Sequence, residues 1–340
     1  QCEGNCIMNK AKKPPINIGK LERFAADFES INELRKPKKI KQDLGKVAVV
    51  GSGPAGLSVA GDVAKLGYEV TVFEGQSEPG GVLLFGIPEF RLSKAVVRRE
   101  IARLEGLGVK FVCNTFIGQD KTLDDLFAEG YDSIFIGTGT HIPQDVRMEN
   151  DEVPGVFQAM YLLTNLQLVE NGELDENQIP VKKGDRVIII GGGNVAMDAA
   201  RTCVRLGCEA VTVAYRRSQE QMPALLSEYE EARAEGVQFQ WFASPVGVEG
   251  TDKVEGFKYE VMALNEDGAG IHGTGNFQVM PVDKIIIAAG HKPNARLVGE
   301  GNNLKVDEKG YIITSEDPYG MTSRDCLLYT SDAADDMQCV

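Results

Sequence analysis

The sequence predicts an α/β fold in which one strand–turn–helix–strand unit occurs twice. The first unit begins "KVAVVGSGPAG" and the second begins "RVIIIGGGNVA", so each has an apolar strand followed by a glycine-rich turn. A helical pattern follows each turn, and a second apolar strand, "EVTVFE" or "AVTVAYRR", comes after it. This order of elements is typical of nucleotide-binding βαβ units. We therefore predict two Rossmann-like dinucleotide-binding domains, the second inserted in the first.

The composition excludes several classes of partner. The chain has 340 residues and a formal net charge of −14, which argues against binding to nucleic acid or to an anionic membrane. No apolar run reaches the roughly 20 residues that a membrane span needs, and no secretory signal is visible. We therefore expect a cytoplasmic protein in which Cys113, Cys203 and Cys208 are reduced, buried thiols.

The first glycine-rich turn predicts a pyrophosphate site. Gly51 allows the tight turn, Gly53 lets the backbone approach a phosphate, and Gly56 lets the helix pack against the strand. Pro54 and Ala55 lie in this turn, and the helix that follows it offers its free N–H groups to the anion. Glu74, at the end of the next strand, is placed to accept hydrogen bonds from a ribose diol and would repel a phosphate. This site should hold an adenosine with a free 2′-hydroxyl, as in FAD or NAD.

The second turn carries the opposite charge at its strand end. Here Ala196 replaces the third glycine, a common variant of the motif. Arg216 and Arg217 occupy the place of Glu74, and their guanidinium groups suit the 2′-phosphate of NADP. Alternatively, both arginines are surface residues that serve solubility. The predicted binding residues of this turn are Gly191, Gly193, Asn194, Val195 and Ala196.

Two dinucleotide sites in one chain suggest hydride transfer between NADPH and a flavin. This step needs little acid–base chemistry, so we predict no catalytic side chain. The three histidines, His141, His272 and His291, are expected to be structural or peripheral.

The motifs resemble those of a known family. The segments "EPGGVLLFGIPEFRL" and "GGGNVAMDAAR…VTVAYRRS…MPA" are similar to the small subunit of NADPH-dependent glutamate synthase and to the flavin subunit of NADH-dependent ferredoxin:NADP oxidoreductase. The flavin region of dihydropyrimidine dehydrogenase shares the pattern. The resemblance runs from Cys2 to about Arg324.

The resemblance implies FAD at the first turn and NADPH at the second. Gly81, Val82 and Arg91 would lie near the flavin, although a salt bridge is an alternative role for Arg91. The segment "GTG", with Thr138 and Gly139, would close over FAD. The segment "AAG", with Ala289 and Gly290, would close over NADPH.

The resemblance also implies ligands of 4Fe–4S clusters at Cys2 and Cys6. Two cysteines cannot complete a four-thiolate site, so the other ligands would lie upstream of Gln1. At the other end, "DCLLYTSDAADDMQCV" departs from the family pattern and shows no strand pattern. We therefore expect the chain from Cys326 onward to be a non-native tail, so Cys326 and Cys339 have no predicted function.

These patterns together predict six segments. They are residues 1–44 (a partial helical iron–sulfur segment and linker), 45–143 (the first part of the FAD-binding domain), 144–184 (a connection), 185–292 (the NADPH-binding domain), 293–325 (the return to the FAD domain, truncated) and 326–340 (the tail).

The function that the resemblance implies is that of an oxidoreductase subunit. It would pass hydride from NADPH to FAD, and electrons through iron–sulfur clusters to a partner. In glutamate synthase the partner is the large subunit, and glutamate is formed from 2-oxoglutarate and glutamine. One alternative is the electron-bifurcating ferredoxin:NADP oxidoreductase, whose partner is a ferredoxin-reductase-like subunit. A non-catalytic nucleotide-binding scaffold is an alternative of another class.

Overall fold

A computed structural model describes residues 3, 5–32, 40–140, 142–144, 146–266, 270–292, 304–308 and 311–329. The predictions for Cys2, His141 and Cys339 lie outside these ranges. Within them, none of the helices is both long enough and apolar enough to cross a membrane.

The helices and strands follow the predicted alternation. The helices are α1 (Ile7–Lys10), α2 (Ile18–Ile31), α3 (Pro54–Leu66), α4 (Val82–Phe85), α5 (Lys94–Leu107), α6 (Leu123–Ala128), α7 (Ala159–Glu170), α8 (Asn194–Arg205) and α9 (Leu226–Ala234), with 3₁₀ turns at Glu176–Gln178 and Gln219–Gln221. The strands are β1 (Lys46–Val50), β2 (Glu69–Phe73), β3 (Lys110–Val112), β4 (Ser133–Ile136), β5 (Ile142–Pro143), β6 (Val156–Gln158), β7 (Arg186–Ile190), β8 (Ala210–Tyr215), β9 (Gln238–Trp241), β10 (Ala243–Glu249), β11 (Gly256–Leu264), β12 (Ile271–Pro281), β13 (Lys284–Ile287), β14 (His291–Lys292) and β15 (Leu327–Tyr329).

The chain divides into two compact units. The first consists of residues 1–82, 94–140 and 293–340, and the second of residues 83–93 and 141–292. The second unit thus interrupts the first along the chain, and residues 83–93 are grouped with the second unit. The α/β class with two Rossmann-like parallel sheets, predicted from the two glycine-rich turns, is confirmed.

The first unit contains a five-stranded parallel sheet in the order β15-β4-β1-β2-β3. Successive residues of a strand point to opposite faces of a sheet, and β1 buries both faces. Val49 packs in the cluster that contains Ala60 and Ala64 of α3. Ala48 and Val50 belong to the cluster on the other face, which contains residues of α6. Because both faces of β1 are buried, polar and apolar residues do not alternate in "KVAVV".

The second unit contains a parallel sheet in the order β6-β13-β7-β8-β9. Ile189 of β7 packs with Met197 of α8 in one cluster of buried residues. Ile188 packs with Phe257 in another cluster, which includes residues of the antiparallel sheet β10-β11-β12. The segment "FQVMPVDKIIIAAG" is divided between β12 of the antiparallel sheet and β13 of the parallel sheet.

The expectation that no strand follows Cys326 is wrong. Leu327–Tyr329 forms β15, which pairs in parallel with β4. Leu327 is fully buried and Tyr329 is also buried, so this strand is part of the core of the first unit. Residues 330–340 lie outside the described ranges.

We predict that Leu327→Ala destabilises the protein by about 3 kcal/mol, because it leaves a cavity in a closed core. Equilibrium denaturation in urea measures the change. Leu66→Ala is the matched control, since the Leu66 side chain lies in the same unit and is 67% exposed. Equal stability of the two variants would show that β15 does not belong to the core.

Candidate dinucleotide sites

Close contact between backbones shapes the first glycine-rich turn. Gly51 has a φ of +97°, and a Cβ there would overlap the carbonyl oxygen of Gly137, just after β4. A Cβ on Gly56 would likewise overlap the carbonyl oxygen of Gly51. The N–H of Gly137 donates to the oxygen of Val50 at 2.8 Å, which holds the two strand ends together. Glycine is therefore required at position 51 by conformation as well as by space, and at position 56 by space.

Both predicted phosphate helices begin without a side-chain cap. Gly53 is the N-cap of α3 and Gly193 is the N-cap of α8, and neither helix receives a side-chain hydrogen bond there. In α6, by contrast, Thr122 and Asp125 form a complete capping box. An uncapped helix leaves its first N–H groups and its positive dipole end for an anion. Both turns therefore fit a pyrophosphate group.

Glu74 lies beside the first turn and is 8% exposed. Its Oε2 accepts hydrogen bonds from the N–H of Ser52 at 3.1 Å and from the Ser52 hydroxyl. Its Oε1 accepts from the N–H of Gln76 at 2.9 Å. A carboxylate offers about four acceptor positions, so one remains for a ribose hydroxyl. The residues of the first turn thus fit the adenosine part of FAD.

The segment after Glu74 is fastened to the same turn. The N–H of Gly80 donates to the Ser52 hydroxyl at 2.8 Å. A Cβ on Gly81 would come within 2.9 Å of the Cα of Gly53, so these backbones are in contact. The structure therefore brings Gly81 and Gly53 together. It also brings Thr138 to Gly51, since a Cβ on Gly51 would lie 3.1 Å from the Cα of Thr138. Val82 begins α4, and Gly139 follows Thr138 in the loop after β4.

The second turn repeats this arrangement with different neighbours. A Cβ on Gly191 would overlap the carbonyl oxygen of Ala288, at the end of β13. A Cβ on Gly192 would lie 2.6 Å from the ring of Tyr215, which therefore packs on the turn. Gly193, by contrast, has no atom within 4 Å of its Cβ position. The space in front of Gly193 can receive a phosphate.

A later segment holds this turn in place. The N–H of Ala224 donates to the oxygen of Gly192 at 2.9 Å, and the N–H of Leu225 donates to Oδ1 of Asn194 at 3.0 Å. The Asn194 side chain is thereby fixed, with its amide NH₂ group on the side away from this bond. Ala196 is fully buried in the core, and Val195 packs against it.

The strand ends differ in charge and exposure. Arg216 and Arg217 follow β8 directly, and both side chains are exposed. Among the residues that the structure describes, neither guanidinium group forms an ion pair. Ala289 and Gly290 follow β13, at the strand end next to Gly191. The exposed cations are therefore available to an anionic ligand at the edge of the second sheet.

Arg91 forms the salt bridge that the sequence left as an alternative. Its Nη1 lies 2.8 Å from Oδ2 of Asp198, and its Nη2 lies 3.1 Å from Oε1 of Glu228. Contact between Arg91 and a flavin stays a prediction. The ring of Phe90 also stacks on two arginines of α8, at 4.6 Å from Arg201 and 4.2 Å from Arg205. These contacts fasten residues 83–93 to the helix that begins at the second turn.

Asp198 is the most unusual titratable group of the second unit. It is 2% exposed, and its Oδ1 has no hydrogen-bond partner within the described ranges. Burial raises the pKa of Asp198 to about 6, although the guanidinium of Arg91 opposes the shift. Removing one partner of such a buried pair costs roughly 3–5 kcal/mol, so Arg91 and Asp198 together fix this part of the unit.

Of the two predicted iron–sulfur ligands, Cys6 lies within the described ranges and Cys2 does not. Cys6 is the N-cap of the short helix α1 and is half-buried. Within the described ranges, no three side chains of the histidine, cysteine, aspartate and glutamate types form a group that could hold a metal ion.

Three residues of these sites were missed by the sequence analysis: Ser52, Asp198 and Tyr215. Ser52 occupies a variable position of the glycine motif, where the pattern carries no information. Asp198 sits on the buried face of α8, and an acidic residue on an apolar face is a signal that could have identified it. Tyr215 precedes the two arginines, but its packing on Gly192 is a tertiary contact.

Comparison with known proteins supports a single family. The family model for pyridine nucleotide-disulphide oxidoreductases matches residues 45–334. The glutamate synthase (NADPH) small chain of Escherichia coli strain K12 is 37% identical over 325 residues, which are 93% of this chain and 68% of that protein. The NADP(+)-dependent formate dehydrogenase subunit beta of Moorella thermoacetica is 33% identical over 350 residues, which cover 93% of this chain and 47% of that protein.

A solved structure has the same fold. Mycobacterium tuberculosis FprA in complex with NADPH superposes with a TM-score of 0.68 over 84% of this chain and 78% of that chain, at 18% identity. The match to the family model covers both glycine-rich turns and both parallel sheets. The chain therefore belongs to the pyridine nucleotide-disulphide oxidoreductase family, in the group that includes the small chain of NADPH-dependent glutamate synthase.

Proposed function

We propose that the chain binds FAD at the Gly51 turn and NADPH at the Gly191 turn, and passes electrons from NADPH to a partner subunit. Membership of the family makes it an NADPH-dependent flavin oxidoreductase. One observation carries the assignment of the two cofactors. At equivalent strand ends, the first turn has a buried, hydrogen-bonded carboxylate and the second has two exposed guanidinium groups.

The residues of the first turn would hold FAD. The uncapped start of α3, with Pro54 and Ala55, would face the pyrophosphate, and Glu74 would accept from the ribose. Ser52 orients the Glu74 carboxylate, and the contact of Gly81 with Gly53 would place Val82 beside the cofactor. When bound, FAD accepts two electrons from NADPH as a hydride and can release them one at a time.

The residues of the second turn would hold NADPH. The start of α8 would bind the pyrophosphate, with the Asn194 amide fixed beside it. Arg216 and Arg217 would bind the 2′-phosphate, since guanidinium groups pair with phosphate oxygens in a bidentate manner. No proton transfer is required, which agrees with the absence of a predicted catalytic side chain.

The proposed electron acceptor is a partner subunit. The similarity to glutamate synthase small chains supports a large synthase subunit as partner, with glutamate formed from 2-oxoglutarate and glutamine. Transfer would run through 4Fe–4S clusters, in which Cys2 and Cys6 supply two thiolates and cysteines outside this sequence supply the rest. We also propose that the protein acts in the cytoplasm.

The first alternative uses the same sites with another partner. The similarity to a formate dehydrogenase subunit supports this alternative, because it shows that related chains are subunits of different enzymes. Mixing the NADPH-reduced protein with the glutamate synthase large subunit, 2-oxoglutarate and glutamine should yield glutamate. Electron transfer only to ferredoxin, in a complex with a ferredoxin-reductase-like subunit, would instead favour the bifurcating enzyme.

We predict that NADPH reduces the flavin of the FAD-loaded protein within the stopped-flow time range, and much faster than NADH does. The absorbance of oxidised flavin measures this directly. If the FAD-loaded protein keeps its oxidised spectrum in NADPH, the chain is a nucleotide-binding scaffold and not an oxidoreductase.

We predict that Glu74→Gln weakens FAD binding roughly 10- to 100-fold, because an acceptor oxygen becomes an NH₂ donor among N–H donors. Titration with FAD, followed by flavin fluorescence, measures the affinity. Glu105→Gln is the control, since Glu105 is exposed on α5 of the same unit. An unchanged affinity for FAD in Glu74→Gln would show that Glu74 does not bind the ribose.

We predict that Arg216→Glu combined with Arg217→Ala weakens NADPH binding about 100-fold and NADH binding by much less, since only NADPH has a 2′-phosphate. Isothermal titration with each coenzyme measures the two affinities. Arg233→Glu provides the control, because Arg233 is an exposed arginine of α9. Equal losses for NADPH and NADH would rule out recognition of the 2′-phosphate.

A further inference from the structure

Two cysteines meet at the C-terminal end of α8. Cys203 lies in the last turn of the helix, and Cys208 follows the left-handed residue Gly207, whose φ is +83°. The N–H of Cys208 donates to the oxygen of Cys203 at 3.2 Å, and the N–H of Gly207 donates to Val204 at 3.0 Å. This type of helix ending commonly brings the side chains at these two positions together, and Cys208 packs against the cluster of buried residues that contains Cys203.

The two thiols differ in exposure and in acidity. Cys203 is fully buried in the core of the second unit, whereas Cys208 is half-buried. The neighbouring Cys208 thiol, together with burial, raises the pKa of the Cys203 thiol, whereas the neighbouring Cys203 thiol lowers the pKa of Cys208. The Cys208 sulfur also lies 3.8 Å from the oxygen of Lys182. The accessible thiol is therefore the one that ionises more easily.

The backbone around Cys208 is held on both sides. The N–H of Gly184 donates to the oxygen of Gly207 at 3.0 Å, and the N–H of Glu209 donates to the oxygen of Asp185 at 2.9 Å. A disulfide needs Cα atoms about 4.4–6.8 Å apart, a range that suits two residues joined by a backbone hydrogen bond. A disulfide would thus join two residues that the backbone already holds next to each other.

We propose that Cys203 and Cys208 are a modification site at which a hydroperoxide produces a reversible disulfide. The inference does not depend on the identity of either bound cofactor. It revises the sequence-based expectation that both thiols stay reduced.

The chemistry balances with hydrogen peroxide as the oxidant. The Cys208 thiolate attacks one peroxide oxygen, the O–O bond breaks, and the leaving hydroxide takes up a proton to give water. Cys208 is then a sulfenic acid. The Cys203 sulfur attacks the Cys208 sulfur, the S–O bond breaks, and the second water leaves with the Cys203 proton. The two thiols have lost two electrons and two protons, and a thiol reductant such as dithiothreitol restores them.

The neighbouring buried thiol determines which oxidation product forms at Cys208. A sulfenic acid without a partner proceeds to the irreversible sulfinic acid, whereas an adjacent thiol converts it to a disulfide first. Cys203 occupies that position, and the other described cysteines, Cys6, Cys113 and Cys326, belong to the first unit.

Peptide mapping of the intact chain tests the proposal. The protein is treated with hydrogen peroxide, its free thiols are alkylated, and it is digested with trypsin without reduction. Cleavage at Arg201, Arg205 and Arg216 separates "TCVR" from "LGCEAVTVAYR", so the disulfide appears as a linked pair of these peptides. We expect alkylation of Cys208 to fall at least about tenfold after peroxide and to return after dithiothreitol.

Three variants provide the controls. Cys208→Ser changes the half-buried residue and should abolish the linked pair, whereas Cys113→Ser should leave it unchanged. In oxidised Cys203→Ser, Cys208 should instead accumulate as sulfinic acid. The proposal fails if peroxide leaves Cys208 of the unaltered protein alkylatable, converts it to sulfinic acid, or links it to any other cysteine.

Discussion

Both candidate sites depend on a steric constraint: a backbone that must touch another backbone. At Gly51 and Gly191, a side chain would overlap the carbonyl oxygen at the end of a neighbouring parallel strand. The strand end, the turn and the helix start are thereby held within a few ångströms of one another. The first N–H groups of α3 and α8 lie at these junctions, and no side chain caps them. The proposed binding of an anion would therefore be a consequence of packing, and it would require no charged side chain in the turn itself.

The two turns share this scaffold and differ in what surrounds it. Glu74 is enclosed, with three of its acceptor positions used by Ser52 and Gln76, so its orientation is fixed before any ligand arrives. The arginines of the second site project from the strand end and can adapt to a phosphate. The contrast between a preorganised acceptor and adaptable cations fits the two proposed ligands, since a ribose hydroxyl needs a directed acceptor and a phosphate needs charge.

The helix α8 links several features of the second unit. Its first residues form part of the proposed NADPH site, and its buried Asp198 pairs with Arg91 of residues 83–93. Its last turn carries Cys203, opposite Cys208. The buried face of α8 therefore carries one carboxylate and one thiol in addition to its apolar side chains. Residues 83–93 are positioned by that helix, even though the sequence pattern connects them with the first turn.

The amino-acid sequence by itself determined the two glycine-rich turns, most strand and helix positions, and the opposite charges of Glu74 and the Arg216–Arg217 pair. These are local properties, because glycine spacing, apolar runs and strand-end charges each involve residues that are close together in the sequence. Only the tertiary structure decided that Leu327–Tyr329 is a strand, that Arg91 pairs with Asp198, and that Ser52 orients Glu74. A three-residue strand has no periodicity to recognise, and each of these contacts joins residues far apart in the chain. Their stability comes from burial and pairing, which exist only after the chain has folded.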